Sequence, residues 1–373
     1  VRDLTIPDPT QLALLPHLAR TERLLAAAAS RESGSACEAE VVAMSDLGLA
    51  NNPRRMLGGF FTGAFYRWEA PTPVVPVDAT VNVCSVSLHR VTRAPASRSE
   101  FEELIERAQL RCAGETEYSW NLDVGNHFAT IGTIAGSAAV PDGSYLLLHA
   151  SAAEYKRTPA GLYPTDGVWY ADAIRAVNDG ERSLRYIAGA AAERFISLAH
   201  SLVNYNSVRH EVLADLIAGD LGLESVAYLP HYGMPDDSSI AIGCHWLDLA
   251  STGFYPLLTE PGEDVLLVEP DGDGSNLVAI NGVERALTPH GLGLRAEGTF
   301  AIDHHGLLIE GEQFDRDASV LASARTALRS LREPELERRI FDSAPGRVVG
   351  RFTPEYSHYK GVFAMSPTPD SVR

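Results

Sequence analysis

One cysteine and four histidines in this chain sit where distant segments could bring side chains together. Cys84 lies in the strand-like run NVCSVSL, and His127 follows a Gly-Asn pair in DVGNHFATIG. His149 sits near the end of SYLLLHAS, His231 lies in LPHYG, and His290 in TPHGLG. Each falls in a short strand or at the end of an element, where side chains from separate parts of a chain meet. A thiolate with imidazoles suits manganese, iron, cobalt or zinc, and ligand type alone does not choose among them. None of the spacings is a zinc-finger pattern. The stretch around His127 reads in two ways. Gly125 and Asn126 both tolerate left-handed backbone angles, so they could simply turn the chain into a strand. Equally, the turn could aim His127 at a metal, with Asn126 behind it.

Other residues of similar chemistry read as structure. Asp303-His304-His305 are adjacent in a strand-like run, so the two imidazoles point to opposite faces. Cys244 beside His245 reads as buried structure, His200 and His210 do not converge on one helix, and Cys112 has no evident partner.

The charge balance bears on partners. Acids outnumber bases 49 to 31, for a net charge of −18. Phosphate contacts dominate affinity for nucleic acid, so an acidic chain without a Lys/Arg-rich run disfavours RNA. No apolar run reaches the ~18–20 residues needed to cross a bilayer, so no membrane partner is expected. The N-terminal segment carries charges and prolines through any signal core. Four scattered cysteines do not form a disulfide framework, and a cytoplasmic location is expected.

The elements that must position these residues are mixed. Residues 11–29 have leucines near helical spacing, and residues 1–40 read as an N-terminal helical segment. Residues 72–92 alternate β-branched and small residues and read as strand. Residues 97–111 open on Ser97 with acids in the first turn, a helix start. Residues 144–151 read as a buried strand, and 183–222 as a long helix. Short strands follow in SVAYLP, SIAIGCHWL and DVLLVEP, then a last helix at 316–341. Without a βαβ rhythm this predicts an α+β fold, one large domain over 1–373 with mixed sheets packed against helices.

Taken in order, these segments resemble the RtcB family, the GTP- and manganese-dependent ligases that join RNA 3′-phosphate ends to 5′-hydroxyl ends. VVAMSDLGLANNPRRMLGGFF is similar to the family's MPDxHxG segment, with Met44 and Asp46 kept and Gly48 in place of its histidine. GNHF at 125–128 matches the family tetrapeptide throughout. NVCSVSL, LLLHASAAE and LPHYG resemble the segments carrying the metal-bridging cysteine and two imidazole ligands. The helix AERFISLAHSLVNYNSVRHEVL resembles the central family helix, with Asn206 in its Asn-Arg position. TPHGLG resembles HGAGR, whose histidine becomes linked to GMP, and YSHYKGV resembles the terminal Tyr-Lys. The resemblance runs from about residue 41 to 363. It implies Cys84, His127, His149 and His231 as metal ligands, and His290, Asn126 and Lys360 as catalytic groups. It also implies a divalent transition metal, manganese first with iron, cobalt or zinc as alternatives, and GTP.

The departures from the family pattern have a common direction. The bridging carboxylate falls at Val81, which leaves Asp78 as the candidate acid for a second metal. Arginines expected at phosphates become Ala153, Asp273 and Leu294, and the cations of HRKGA are absent from HWLDL at 245–249. Losing a bidentate guanidinium–phosphate pair costs about 1.5–3 kcal/mol per contact. The resemblance therefore implies an RtcB-like metal-dependent enzyme with two outcomes: RNA ligation through a histidine–GMP intermediate, or a repurposed metalloenzyme acting on a small molecule, for example in specialised metabolism. A non-catalytic paralogue is the third reading.

Overall fold

The computed structural model describes residues 1–3, 5, 9–50, 53–122, 124, 127–246, 253–258, 264–270 and 346–358. It also describes short strands at Leu277–Val278, Arg295–Ala296, Phe300–Asp303, Gly306–Ile309, Glu312–Asp315 and Leu328–Arg329. Among the described residues the α-helices are α1 (Pro9–Ser33), α2 (Pro53–Gly58), α3 (Arg98–Glu115) and α4 (Ala190–Ala218). The larger set of strands begins β1 (Arg2–Asp3), β2 (Ala39–Gly48), β3 (Thr62–Trp68), β4 (Val74–Pro76), β5 (Cys84–Val91), β6 (Phe128–Ile134) and β7 (Gly143–Ser151). It continues β8 (Arg175–Asn178), β9 (Ser183–Ala188), β10 (Leu223–Gly233), β11 (Ser239–Ile242), β12 (His245–Trp246), β13 (Tyr255–Leu258) and β14 (Val265–Pro270), followed by the long strand Gly346–His358.

Eleven strands form one sheet in the order β1-β2-β3-β11-β10-β5-β7-β6, then Gly346–His358, β14 and β13. Among the described residues only β1 and β2 pair in parallel. The remaining neighbours are antiparallel, so the fold is α+β, as the missing βαβ rhythm implies. A separate sheet joins β4, β9 and β8.

The alternation along the central strands separates two faces. Val86, Leu88, Phe128 and Leu147 pack into one core, whereas Ala129, Ile131, Leu146, Leu148 and Ala150 pack beneath α3 and α4 in another. α3 forms because its buried residues Phe101, Leu104, Ile105, Ala108 and Cys112 recur at helical spacing. The Ser97 side chain accepts from Glu100 N at 3.2 Å, and the Glu100 carboxylate accepts from Ala96 N at 2.6 Å. Such caps contribute about 1 kcal/mol each. Among the described residues no helix is long and apolar enough to cross a membrane.

Three sequence expectations need correction. The run 72–92 is two strands, because the chain turns at Val77–Ala79 and takes left-handed angles at Thr80 (φ 45°) and Val83 (φ 52°). Residues 183–188 are strand β9 rather than the start of the long helix; Gly189 (φ 59°) breaks the chain before α4 begins. SIAIGCHWL is likewise divided at Gly243 (φ 74°) into β11 and β12. The helix expected at 316–341 lies outside the described residues, except that Leu328–Arg329 are strand.

A buried polar seam joins β5 to α4. His210 approaches Ser87 Oγ through Nδ1 at 2.8 Å, and Ser85 Oγ and the Ala150 carbonyl through Nε2 at 3.3 and 3.2 Å. His89 Nε2 lies 2.8 Å from the same Ser87 hydroxyl. Burial pushes the His89 imidazole down to about 4 from 6.5, against a small upward pull from Glu211, and holds His210 well below its usual range. Below pH 6.5 the unfolded chain binds protons at these positions and the folded chain does not. Each histidine therefore removes about 1.4 kcal/mol of stability per pH unit of acidification, for His89 down to about pH 4. The urea midpoint should fall steadily between pH 7 and 4.5, and His89→Gln should flatten that slope. A midpoint independent of pH in this range would show that the buried imidazoles take up protons without cost.

Candidate metal centre

Register and a bulge bring the chemically active side chains to one buried face. On β5, Cys84 pairs with Ser151 of β7, and Val86 pairs with His149. On β6, Phe128 pairs with the same His149, which places His127 at the mouth of that strand. On β10 the pairing steps from Pro230–Ser85 to Tyr232–Cys84, so His231 is the extra residue of a β-bulge. Bulges re-aim side chains near functional sites. The Cys244 N–H donates to the His231 carbonyl at 3.0 Å and fixes the bulged backbone from outside.

The resulting group is compact. Cys84 Sγ lies 2.9 Å from His149 Nε2 and 3.7 Å from His127 Nε2, and His149 Nε2 lies 3.2 Å from His231 Nε2. The ligand atoms of Cys84, His149 and His231 are all within 4.8 Å of one another, and the three residues are buried. His127, 5 % exposed, stands at its edge, with its ring 5.3 Å from that of His149. Tetrahedral coordination with metal–nitrogen and metal–sulfur bonds of ~2.1 and ~2.3 Å would set the ligand atoms about 3.4–3.6 Å apart. The observed separations bracket that spacing, so this Cys/His/His group could hold a metal ion.

Protonation states favour ligation. His127 Nδ1 lies 3.1 Å from the Asn121 carbonyl. A carbonyl only accepts, so Nδ1 carries the proton and the Nε2 lone pair faces Cys84 and Ser151. Burial holds His127 well below its usual range, helped by Lys156, His149 and Arg209. Burial also pushes His231 down to about 3, with the Leu229 backbone pulling weakly upward. Both imidazoles are neutral at pH 7, the form that binds metals.

Behind the ligands, α4 supplies the support. Arg209, fully buried, donates to Asn121 Oδ1 at 2.7 Å, to the Ser119 carbonyl, and to Glu154 Oε1 at 3.2 Å. Asn121 Nδ2 in turn donates to the Ser151 carbonyl at 2.8 Å. Asn206 Nδ2 donates to the Val83 carbonyl at 3.0 Å and to Ser85 Oγ at 2.6 Å. The Tyr232 hydroxyl donates to the carbonyls of Ala79 and Thr80. Together Asn206 and Tyr232 grip both ends of the strained turn that delivers Cys84.

The other expected site residues fall elsewhere. His290, Asn126 and Lys360 lie outside the described residues. Asp78, proposed from sequence for a second metal, is instead committed to Arg185: it accepts from the side-chain Nε at 2.9 Å and from the backbone N–H at 3.2 Å, with a further contact from the guanidinium end. The turn at Val77–Ala79 brings it to Arg185 on β9. Conversely, the sequence reading passed over Ser151, whose hydroxyl lies 3.2 Å from His127 Nε2. Strand alternation from His149 would have found it. It also set aside His245, whose ring packs edge-on to His231 at 5.4 Å. His245 is fully buried and neither ring nitrogen makes a hydrogen bond of ordinary geometry, although the Pro230 carbonyl is near enough to favour its charged form. Burial wins and holds it well below its usual range.

No family model matches this chain, and no curated protein matches it. The geometry therefore carries the functional argument.

Asp78→Asn separates the two placements of that carboxylate. It should lower stability by about 2–3 kcal/mol, because Arg185 loses its counter-ion, and leave metal content unchanged. Urea unfolding and elemental analysis of the same preparation read both. A lost metal with unchanged stability would restore Asp78 to the centre.

Proposed function

We propose that this chain is a metalloenzyme acting on a small molecule, with Cys84, His149 and His231 holding one transition-metal ion and His127 at its edge. The observation that carries the reading is the convergence of three buried donor atoms within 4.8 Å of one another. A thiol buried together with two imidazoles is a donor set that gains from a shared cation. A bound ion there would supply Lewis acidity to a substrate oxygen. The chain's own residues do the rest. Asn121 and Arg209 orient His127, Asn206 and Tyr232 hold the Cys84 turn, and Phe128 and Val86 keep that face apolar.

The donor set also bears on which metal. Among the described residues the group contains a thiolate and imidazoles but no carboxylate. Such donors suit zinc, iron or cobalt, whereas manganese favours oxygen ligands. Purified protein should therefore carry close to one equivalent of zinc, iron or cobalt, with manganese the lesser species. Cys84→Ala and His149→Ala should each lower that stoichiometry at least tenfold by elemental analysis, while far-ultraviolet circular dichroism stays unchanged. Metal-free protein that resists reconstitution with all four metals would defeat the proposal.

One observation favours a second reading, an RtcB-like ligase. Cys84, His127, His149 and His231, the ligand positions implied by that resemblance, all lie in one neighbourhood. Against it stand Ala153, Asp273 and Leu294 at positions where phosphate-binding cations are expected, together with the net charge of −18. Phosphoryl transfer relies on such cations for most of its acceleration. Incubation with manganese and α-labelled GTP should then yield no acid-labile GMP adduct by mass. An adduct that disappears in His290→Ala would establish the ligase chemistry.

A further inference from the structure

Three tyrosines from separate segments meet at the middle of α4. Tyr205 lies on that helix, Tyr118 follows α3, and Tyr155 ends the one-turn helix Ala153–Tyr155 after β7. The Tyr118 ring centroid is 5.4 Å from that of Tyr205, with the planes inclined at 58°. The Tyr155 centroid is 5.1 Å from that of Tyr205, with the planes at 88°. Rings so inclined present their faces in different directions around Tyr205, and each face carries the negative end of the ring quadrupole. All three residues are half-buried.

The surrounding structure holds the rings in place. Cys112 Sγ donates to the Tyr118 carbonyl at 3.2 Å, and Tyr118 N donates to Thr116 Oγ1 at 3.2 Å. The Tyr155 carbonyl accepts from Leu162 N at 3.0 Å. Tyr118 packs against the core beneath α3 and α4, whereas Tyr155 and Tyr205 pack against the core that includes α1 and β9. No cation of the chain covers these rings: among the described residues the cation–π contacts are Arg55 over Tyr232 and Arg194 over Trp169.

The charge beside the rings is acidic. Glu154, next to Tyr155, accepts through Oε1 from Arg209 Nε at 3.2 Å and from the Ser119 N–H, while its Oε2 is buried without a partner. Glu117 stands exposed next to Tyr118. Burial pushes the Tyr205 phenol up, Glu154 and the two neighbouring tyrosines add to this, and Arg209 opposes it. Burial, then Glu117 and Glu154, push Tyr118 up against the same Arg209. At both hydroxyls the acids outweigh the guanidinium, so the field over the rings favours a cation. The buried Oε2 acts through that field rather than by touching a ligand. An ammonium bearing alkyl groups in place of N–H bonds gives up few hydrogen bonds to water when it settles on such rings.

We propose that Tyr118, Tyr155 and Tyr205 form a binding site for a small quaternary ammonium group, held by cation–π contact with the rings and by the field of Glu154 and Glu117. None of these residues belongs to the Cys84–His149–His231 group, and the inference does not rest on the metalloenzyme reading.

The test titrates the full-length protein calorimetrically with choline and with dimethylbutanol, its uncharged carbon isostere. Choline should bind saturably, and the isostere about tenfold more weakly, because it has the shape without the charge. Tyr205→Leu should weaken choline binding about tenfold, whereas Tyr205→Phe should keep most of it, since the phenyl ring retains the quadrupole. Tyr118→Leu, at the end of a loop rather than within α4, should weaken binding likewise and serves where Tyr205→Leu does not fold. Circular dichroism of each variant reads the fold. Absence of saturable choline binding, equal binding of dimethylbutanol, or binding indifferent to the leucine variants overturns the site.

Discussion

The constraint on which the site depends is the antiparallel register of β10, β5, β7 and β6. Side chains on a sheet alternate faces with a period of two, so a slip of one residue would send Cys84 and His149 to opposite sides. The pairings Cys84–Ser151 and Val86–His149 prevent this. They are themselves locked by the apolar faces on either side, Val86 and Phe128 with one core, Ala150 and Leu148 with the other. Only His231 needs more than register, and the bulge between Pro230 and Tyr232 supplies it.

Placing four polar side chains on a buried face has a cost, and the surrounding structure is arranged to meet it. Thr80 and Val83 are β-branched residues in the left-handed region, where such side chains are outliers costing of order 1–2 kcal/mol each. The turn persists because Tyr232 and Asn206 bond its carbonyls from two different elements. Strain of this kind concentrates at functional sites, where the scaffold over-determines a geometry the local chain would not choose. Here it sits immediately before the thiol.

The two faces of β5 divide the labour. The face with Cys84 carries the donors, and the reverse face carries Ser85 and Ser87, which meet Asn206 and His210 from α4, and His89, which meets Ser87. The Ala150 carbonyl links the two, since it lies 3.6 Å from Cys84 Sγ and accepts from Asn206 at 3.3 Å. A helix of 29 residues thereby sets the position of a strand whose other face carries the candidate metal ligands. The same helix reaches His127 by way of Arg209 and Asn121.

Much of this was legible in the chain. Cys84, His127, His149 and His231 could be singled out because strand ends and turns are where ligands gather, and α1 and α3 followed from apolar spacing and from the Ser97 cap. Strand order, however, is a property of pairings between segments up to hundreds of residues apart, which local patterning does not encode. The same limit explains the errors. Residues 72–92 look like one strand because Thr80 and Val83 favour extended backbone on their own, and only Tyr232 and Asn206 force them out of it. Residues 183–188 look helical until β4 and β8 pair with them. Asp78 has the chemistry of a ligand and is claimed by Arg185 from across a turn. The amino-acid sequence thus determined which donors exist, and tertiary structure decided which of them meet, because convergence depends on register and on long-range contacts that no single segment contains.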